Sequence, residues 1–302
     1  MIRSLTIVLV TASLGLAAGD AAAFFETTQV SPRARAMGET GVAAPGAAWA
    51  PFLNPAALGA ATGGEAAASY QRPFRLDFTD FVAVGAGLPF DTRFGRFGLG
   101  VTSFSVSWAG ADSVGEVDLL KETRLTFAHG VHLYEDYHSS VAIGWAANVY
   151  RVEAGESISG LDPGQDTAVG LDLGLLVTLH RRTRLALQVV NINDPRIGLD
   201  DEELERRLVA GVAYEPYDAV VTTFEIDNRL GEDTVYKGGV EAFVVPGFAL
   251  RAGVATNPNR MTAGFGYGLR GIGLDYGFST GGGTLDSTHQ FGLVVAWGGE
   301  AQ

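Results

Sequence analysis

The sequence predicts an antiparallel transmembrane β-barrel of about fourteen strands with an N-terminal plug segment. Apolar and polar residues alternate along most of the chain, as they do in strands with two unlike faces. The chain holds 41 glycines, roughly twice the average share, and glycine weakens helices. The links between the predicted strands alternate between short and long, which is typical of outer-membrane barrels.

The first 23 residues have the features of a secretory signal peptide. Arg3 supplies a positive charge, residues 5–18 form an apolar core, and Ala21-Ala22-Ala23 offers a cleavage site before Phe24. An uncleaved membrane anchor is the alternative, but the apolar run is short for a span. We therefore expect residues 1–23 to be removed on export.

Residues 24–64 are too rich in alanine, glycine and proline to form a strand, and we assign them to the plug segment. Residues 65–302 are assigned to the barrel. The fourteen predicted strands span 65–71, 78–89, 95–106, 121–134, 139–151, 167–179, 183–191, 206–214, 219–228, 235–245, 248–255, 261–269, 271–280 and 288–297. The last strand is typical, since Phe291, Leu293, Val295 and Trp297 alternate with small or polar residues.

The lengths of the links predict the orientation of the barrel. The links that follow the even-numbered strands are brief, whereas residues 107–120, 152–166, 192–205 and 281–287 form longer polar links after odd-numbered strands. With an even strand count and both termini in the periplasm, these longer links lie outside the cell.

Polar and charged residues fall on the face opposite the apolar one, which is the lumen of a barrel. The predicted lumen-lining residues are Arg124, Asp172, Arg184, Gln188, Glu225, Asp227, Lys237, Glu241, Arg251 and Asp275. They either form ion pairs that fill and hold the barrel or take part directly in a permeation path or partner contact. If water reaches them, arginine at Asp172 or Asp275 should be tolerated better than arginine at Leu173 or Leu274.

Several function classes are disfavoured. The chain has no cysteine, and its net charge of −13 argues against nucleic acid as a partner. His129 and His132 fall on opposite faces of one predicted strand, so they do not form a metal site together. No serine stands in a nucleophile-elbow pattern. We expect no enzymatic activity, no metal and no cofactor.

The plug segment carries a recognisable pattern. Residues 31–38 read Ser-Pro-Arg-Ala-Arg-Ala-Met-Gly, residues 41–44 read Gly-Val-Ala-Ala, and residues 54–58 read Asn-Pro-Ala-Ala-Leu after an aromatic stretch. This opening resembles that of the FadL-type outer-membrane transporter superfamily, and the PorV/PorQ proteins of type IX secretion share it. The chain departs from the pattern at Glu39-Thr40 and at Ala57, where glycine is common. Over the barrel, the resemblance is one of pattern and size only.

The resemblance implies a hatch that plugs a fourteen-stranded barrel. It marks the plug motif as Arg33, Arg35, Met37, Gly38, Asn54, Pro55, Ala56 and Leu58. On physical grounds alone, Asn54-Pro55 indicates a buried structural corner without chemistry, because proline fixes φ and asparagine caps nearby backbone donors.

Two functions follow from the resemblance. The first is a type IX secretion-associated scaffold or shuttle in the bacterial outer membrane, which the short loops and short mature length favour. The second is a channel for hydrophobic small molecules such as long-chain fatty acids. The expected partners are outer-membrane lipid together with secreted proteins or secretion components, or with hydrophobic ligands.

Overall fold

The computed structural model describes residues 25, 28–88, 94–108, 117–155, 164–198, 201–230, 234–282 and 285–298. The predicted signal peptide lies outside these residues, as do the central parts of several predicted links.

The strands agree with the sequence prediction to within a few residues. Their bounds are β1 Gly64–Arg72, β2 Thr79–Gly87, β3 Arg96–Trp108, β4 Val117–Glu135, β5 Ser140–Ala154, β6 Gln165–Leu179, β7 Thr183–Val190, β8 Arg196–Ile197, β9 Glu202–Glu203, β10 Arg207–Tyr217, β11 Val220–Arg229, β12 Thr234–Val245, β13 Phe248–Ala255, β14 Arg260–Leu269, β15 Ile272–Ser279 and β16 Thr288–Trp297. All of them except β8 and β9 belong to one closed antiparallel barrel of fourteen strands. The fold class predicted from the sequence is confirmed.

The barrel closes where the first strand meets the last. β1 pairs with β16 in a continuous register that places Gly64 opposite Trp297 and Arg72 opposite His289. Each of the other barrel strands pairs with the barrel strands before and after it in the chain. Closure leaves no sheet edge with unpaired backbone groups, which a barrel in lipid requires.

Strands β8 and β9 form a small hairpin inside the link between β7 and β10, where the sequence analysis expected only a polar loop. Ile197 and Leu204 are almost fully buried and pack with Tyr150, Val152 and Ala168 on the inner wall. These two apolar residues in an otherwise acidic segment are the sequence signal for this packing. The described part of this link therefore packs against the inner wall of the barrel.

The two faces of the wall differ as predicted. Leu173, Leu274 and Phe291 are 47%, 56% and 58% exposed on the outer surface, whereas their neighbours Asp172 and Gln290 are fully buried inside. The outside of the barrel is therefore apolar and its inside polar. Among the described residues, none of the helices has both the length and the apolar character needed to span a membrane.

The plug segment lies inside the barrel and contains three short helices: α1 Pro32–Ala36, α2 Ala50–Leu53 and α3 Ala56–Ala60. Ser31 caps α1 by accepting a hydrogen bond from the amide of Ala34 at 3.3 Å, and Pro32 occupies the first turn. Its many alanines and glycines allow the segment to fit within the wall. Its apolar side chains, among them Val30, Trp49 and Phe52, pack with Phe81 and Ala83 of β2.

Candidate functional site

Glycines of the wall provide the surface on which the plug segment lies. A methyl group added to Gly239 or Gly253 would lie 2.6 or 2.5 Å from the carbonyl carbon of Met37. Gly38 has a φ of +72°, and a methyl group there would lie 2.6 Å from the carbonyl oxygen of Val254. At this turn, the backbone of the plug segment therefore contacts the backbone of the barrel wall directly. Larger side chains on either one would push the plug segment away from the wall.

A second glycine surface holds α3. A methyl group on Gly130 would lie 2.5 Å from the carbonyl oxygen of Pro55, and one on Gly144 would lie 2.5 Å from the amide nitrogen of Ala56. Ala56 and Leu58 are buried, with exposures of 0% and 1%. These inward-facing glycines are thus contact points for the plug segment.

Arg33 joins the plug segment to a chain of charges on the wall. Its guanidinium donates two hydrogen bonds to Glu241, Nε to Oε2 at 2.9 Å and Nη2 to Oε1 at 2.7 Å, and a third to the carbonyl of Ala44 at 2.8 Å. Glu241 also accepts from Nε of Arg251 at 2.6 Å, and Arg251 donates to Asp275 at 2.5 Å. Removal from water lowers the pKa of Arg33, but Glu241 more than offsets this, so the pKa is raised.

Arg35 crosses the closing seam of the barrel. It donates to Gln290 of β16 at 2.8 Å, to Ser279 of β15 at 3.0 Å and to Gln71 of β1 at 2.5 Å. Burial lowers its pKa to about 10, although Glu39 acts in the opposite direction. The side chain therefore remains charged at neutral pH and ties three neighbouring strands to α1.

Glu225 holds the turn that follows α1. Its Oε2 accepts hydrogen bonds from the amides of Gly41 and Val42 at 2.8 and 3.0 Å. Lys237 donates to Glu225 at 3.2 Å and to Asp227 at 2.8 Å. Asp227 also pairs with Arg207. These groups continue the network of buried charges along β10 to β12.

Arg124 and Asp172 form a third group. Arg124 donates to Asn148 at 3.0 Å and to Asp172 at 3.2 Å, and Asn148 donates to Asp172 at 2.9 Å. The guanidinium carbon of Arg124 also lies 5.4 Å from the ring centre of Phe52 in α2. Gln188 binds the same helix, donating to the carbonyl of Phe52 at 3.2 Å.

Asn54 occupies the buried corner that its sequence context suggested. It is fully buried, donates to the carbonyls of Val42 and Leu175 at 2.9 and 3.2 Å, and accepts from the amide of Ala56 at 3.1 Å. Asn54 therefore fixes the start of α3 and also links two parts of the plug segment to β6. Its contacts account for the residue without any chemical role.

The predicted lumen residues differ in their surroundings. Arg184 pairs with Glu215 near the short-turn end of the barrel and is 30% exposed, away from the plug-segment contacts described above. Asp172 and Asp275, by contrast, belong to the buried networks, with side-chain exposures of 0% and 14%. Both carboxylates bind cations of the wall, Arg124 and Arg251, and are largely withdrawn from water. The premise that water reaches them is therefore contradicted, while the tolerance of arginine at these two positions stays a prediction.

Several polar residues of the site were not singled out from the sequence. Gln71 and Gln290 bind Arg35, Asn148 joins Arg124 to Asp172, and Arg207 neutralises Asp227. Each lies at an inward-facing position of its strand, and the alternation of apolar and polar residues in the sequence indicates such positions. Their partners lie on other strands or on the plug segment, and strand phase alone does not identify them.

A cavity of about 360 Å³ lies between the plug segment and the wall at the long-loop end of the barrel. Its apolar lining includes Val30 and Phe52 of the plug segment and Phe74, Phe81 and Phe104 of the barrel. Its polar lining includes Arg124, Gln188, Asn191 and Lys237. This mixture of an apolar body and a few polar groups is typical of small-molecule sites, and so is the volume.

Within the ranges that the structure describes, no three histidine, aspartate or glutamate side chains are grouped so that they could hold a metal ion.

Comparisons with known proteins establish the fold. No family model matches the chain, and no curated protein matches its sequence. The CymD monoaromatic hydrocarbon channel matches with a TM-score of 0.61 and 16% identity, over 88% of this chain and 96% of that chain. The toluene transporter TodX of Pseudomonas putida matches with a TM-score of 0.57 and 15% identity, over 90% and 98% of the two chains. The chain has their fold.

A FadL homologue from Pseudomonas aeruginosa gives the same TM-score of 0.57 at 12% identity, over 90% of this chain and 99% of that chain. This likeness agrees with the FadL-type resemblance of residues 31–58. None of the three structures is described as a secretion component, so the PorV/PorQ branch of the resemblance receives no support from them.

Proposed function

We propose that this protein is an outer-membrane channel for hydrophobic small molecules. We further propose that these molecules bind in the cavity beside the plug segment as they pass through the barrel. The observation that carries the proposal is the cavity itself, a space of about 360 Å³ at the long-loop end with a lining of apolar side chains and some polar ones. An apolar exterior and a closed backbone suit a barrel in lipid. We accordingly place the protein in the bacterial outer membrane.

The size of the cavity suits one small ring system. An apolar protein cavity of about 150 Å³ is large enough to bind benzene, and this cavity is more than twice as large. Phe52, Phe81 and Phe104 offer aromatic surface to such a ligand. Monoaromatic hydrocarbons, the cargo in the description of CymD, are therefore the first ligand class to test here.

Binding of labelled toluene, measured by equilibrium dialysis of the full chain in detergent, tests the proposal. Empty micelles run in parallel correct for partition into detergent. The variant Thr102→Trp should fill the cavity, since Thr102 lies in its lining. Val101→Trp is the matched control, because Val101 lies on the outer surface with 42% exposure.

We expect saturable binding to the natural chain and to Val101→Trp, and binding at least about tenfold weaker to Thr102→Trp. Toluene uptake that never exceeds that of empty micelles would refute the proposal, as would equal binding to both variants.

The secretion-scaffold hypothesis rests on the resemblance to PorV/PorQ proteins and on chain length. No contact of the described residues favours it over the channel. Capture of a secreted protein by intact cells that display this barrel, combined with failure to bind toluene, would restore it.

A further inference from the structure

The cavity carries charges of both signs beside its apolar surface. Its basic lining residues are Arg124, Arg207 and Lys237, and its acidic lining residues are Glu39, Glu122 and Glu205. The three positive charges thus equal the three negative charges. Whether a ligand can carry a charge depends on whether any of these groups is available.

Each of the three basic groups is already bound to a carboxylate in the wall. Arg124 donates to Asp172 at 3.2 Å, Lys237 donates to Asp227 at 2.8 Å, and Arg207 donates to the same Asp227 through Nε at 3.1 Å. Their side chains are only 18%, 8% and 14% exposed. An anionic ligand would have to compete with these existing ion pairs.

The three acidic groups that line the cavity also have hydrogen-bond or ion-pair partners. Glu39 pairs with Arg260 at 3.0 Å, Glu205 accepts from Arg229 at 3.1 Å, and Glu122 accepts from the backbone amide of Phe25 at 3.0 Å. A carboxylate placed in the cavity would lose its hydration, and because each cation of the lining already has a carboxylate partner, no new ion pair would offset that cost.

We propose that the cavity admits uncharged ligands and excludes carboxylates of the same size and shape. This inference rests on the proposed function and specifies its substrate class. It distinguishes hydrocarbons and other neutral aromatics from ionised fatty or aromatic acids. The long-chain fatty acids that the sequence analysis considered would therefore be poor ligands in their ionised form.

The test compares three methylbenzenes by the dialysis assay at neutral pH: toluene and its para-substituted derivatives p-toluamide and p-toluate. The amide and the carboxylate have nearly the same shape, so the pair isolates charge from size. We expect p-toluate to bind at least about tenfold more weakly than p-toluamide. Equal or tighter binding of p-toluate would overturn the charge inference while the proposed function stands, provided that toluene binds. If none of the three binds, the proposed function itself fails.

Two variants test whether the weaker binding of p-toluate arises from the charges that line the cavity. Glu122→Gln removes one negative charge from the lining but keeps an oxygen that can accept from Phe25, and it should strengthen p-toluate binding while leaving p-toluamide unchanged. Glu135→Gln is the control, since Glu135 lies at the opposite end of β4 and is 67% exposed. If Glu122→Gln does not fold, Glu205→Gln serves as the second charge-removing variant. A folded charge-removing variant that leaves the ratio of p-toluate to p-toluamide binding unchanged would contradict the inference.

Discussion

Arg33 and Glu241 form a two-bond ion pair that fastens the plug segment to the barrel wall. The two hydrogen bonds measure 2.9 and 2.7 Å, and Glu241 is only 2% exposed. The same carboxylate binds Arg251, so it neutralises two guanidinium groups at once. The pair therefore belongs to the folded core of the protein and links two parts of the chain that are far apart in sequence.

Substituting Glu241 tests this link. Glu241→Gln should lower the free energy of unfolding by about 3–5 kcal/mol, because it removes the carboxylate that the buried Arg251 and the half-buried Arg33 share. Urea unfolding followed by gel mobility measures the change. Asp218→Asn, which breaks an exposed pair with Arg182, is the control and should cost less than about 1 kcal/mol. A cost for Glu241→Gln as small as the control's would mean that the plug segment is not held by this pair.

Two adjacent glycines of β12 test the packing of the plug segment. Gly239→Ala should destabilise the protein by about 1–3 kcal/mol, because its methyl group would lie 2.6 Å from the carbonyl carbon of Met37. Gly238→Ala should change stability by less than about 0.5 kcal/mol, since the nearest atom to its methyl group is 3.7 Å away. Thermal unfolding of the two variants gives the comparison. Equal stabilities would show that Met37 does not lie against this strand.

The contact of the outer face with lipid can be tested by placing arginine at two different depths in the bilayer. Leu173 lies midway along β6 and is 47% exposed, so Leu173→Arg should cost about 2–4 kcal/mol in a lipid bilayer. Leu119 lies near the long-loop end of β4, where arginine should cost about 0–1 kcal/mol. The yields of heat-modifiable, folded barrel report the difference. Similar yields from the two variants would argue against lipid at the middle of this face.

Removing the plug segment should open the lumen. A barrel of about fourteen strands is wide enough to leave an aqueous path when it is empty, so deleting residues 24–61 should raise ion conductance in planar bilayers. Asn54→Ala should give a smaller rise, because it removes the hydrogen bonds to Val42, Leu175 and Ala56 only. Conductance that does not change after the deletion would mean that wall side chains or loops close the lumen by themselves.

Much of the fold could be predicted because strand phase is a local property. Alternation along β6 and β16 identified which side chains face outward, and the short turns located the strand ends. The partners of the inward residues could not be predicted in the same way. The contact of Arg35 with Gln71 and Gln290 depends on barrel closure and on the path of the plug segment through the lumen. Strand phase placed Asp172 inside the barrel but could not show that its carboxylate is bound to Arg124 and Asn148 rather than exposed to water.

Uptake of labelled toluene by intact Gram-negative cells that express this chain tests the central claim most directly. Cells with the natural chain or with Val101→Trp should take up toluene faster than cells with an empty vector, whereas Thr102→Trp should reduce uptake to the vector level. Equal amounts of folded barrel must be shown in each strain. Uptake by Thr102→Trp that matches the natural chain, or by the natural chain that matches the vector, would contradict a route through the cavity beside the plug segment.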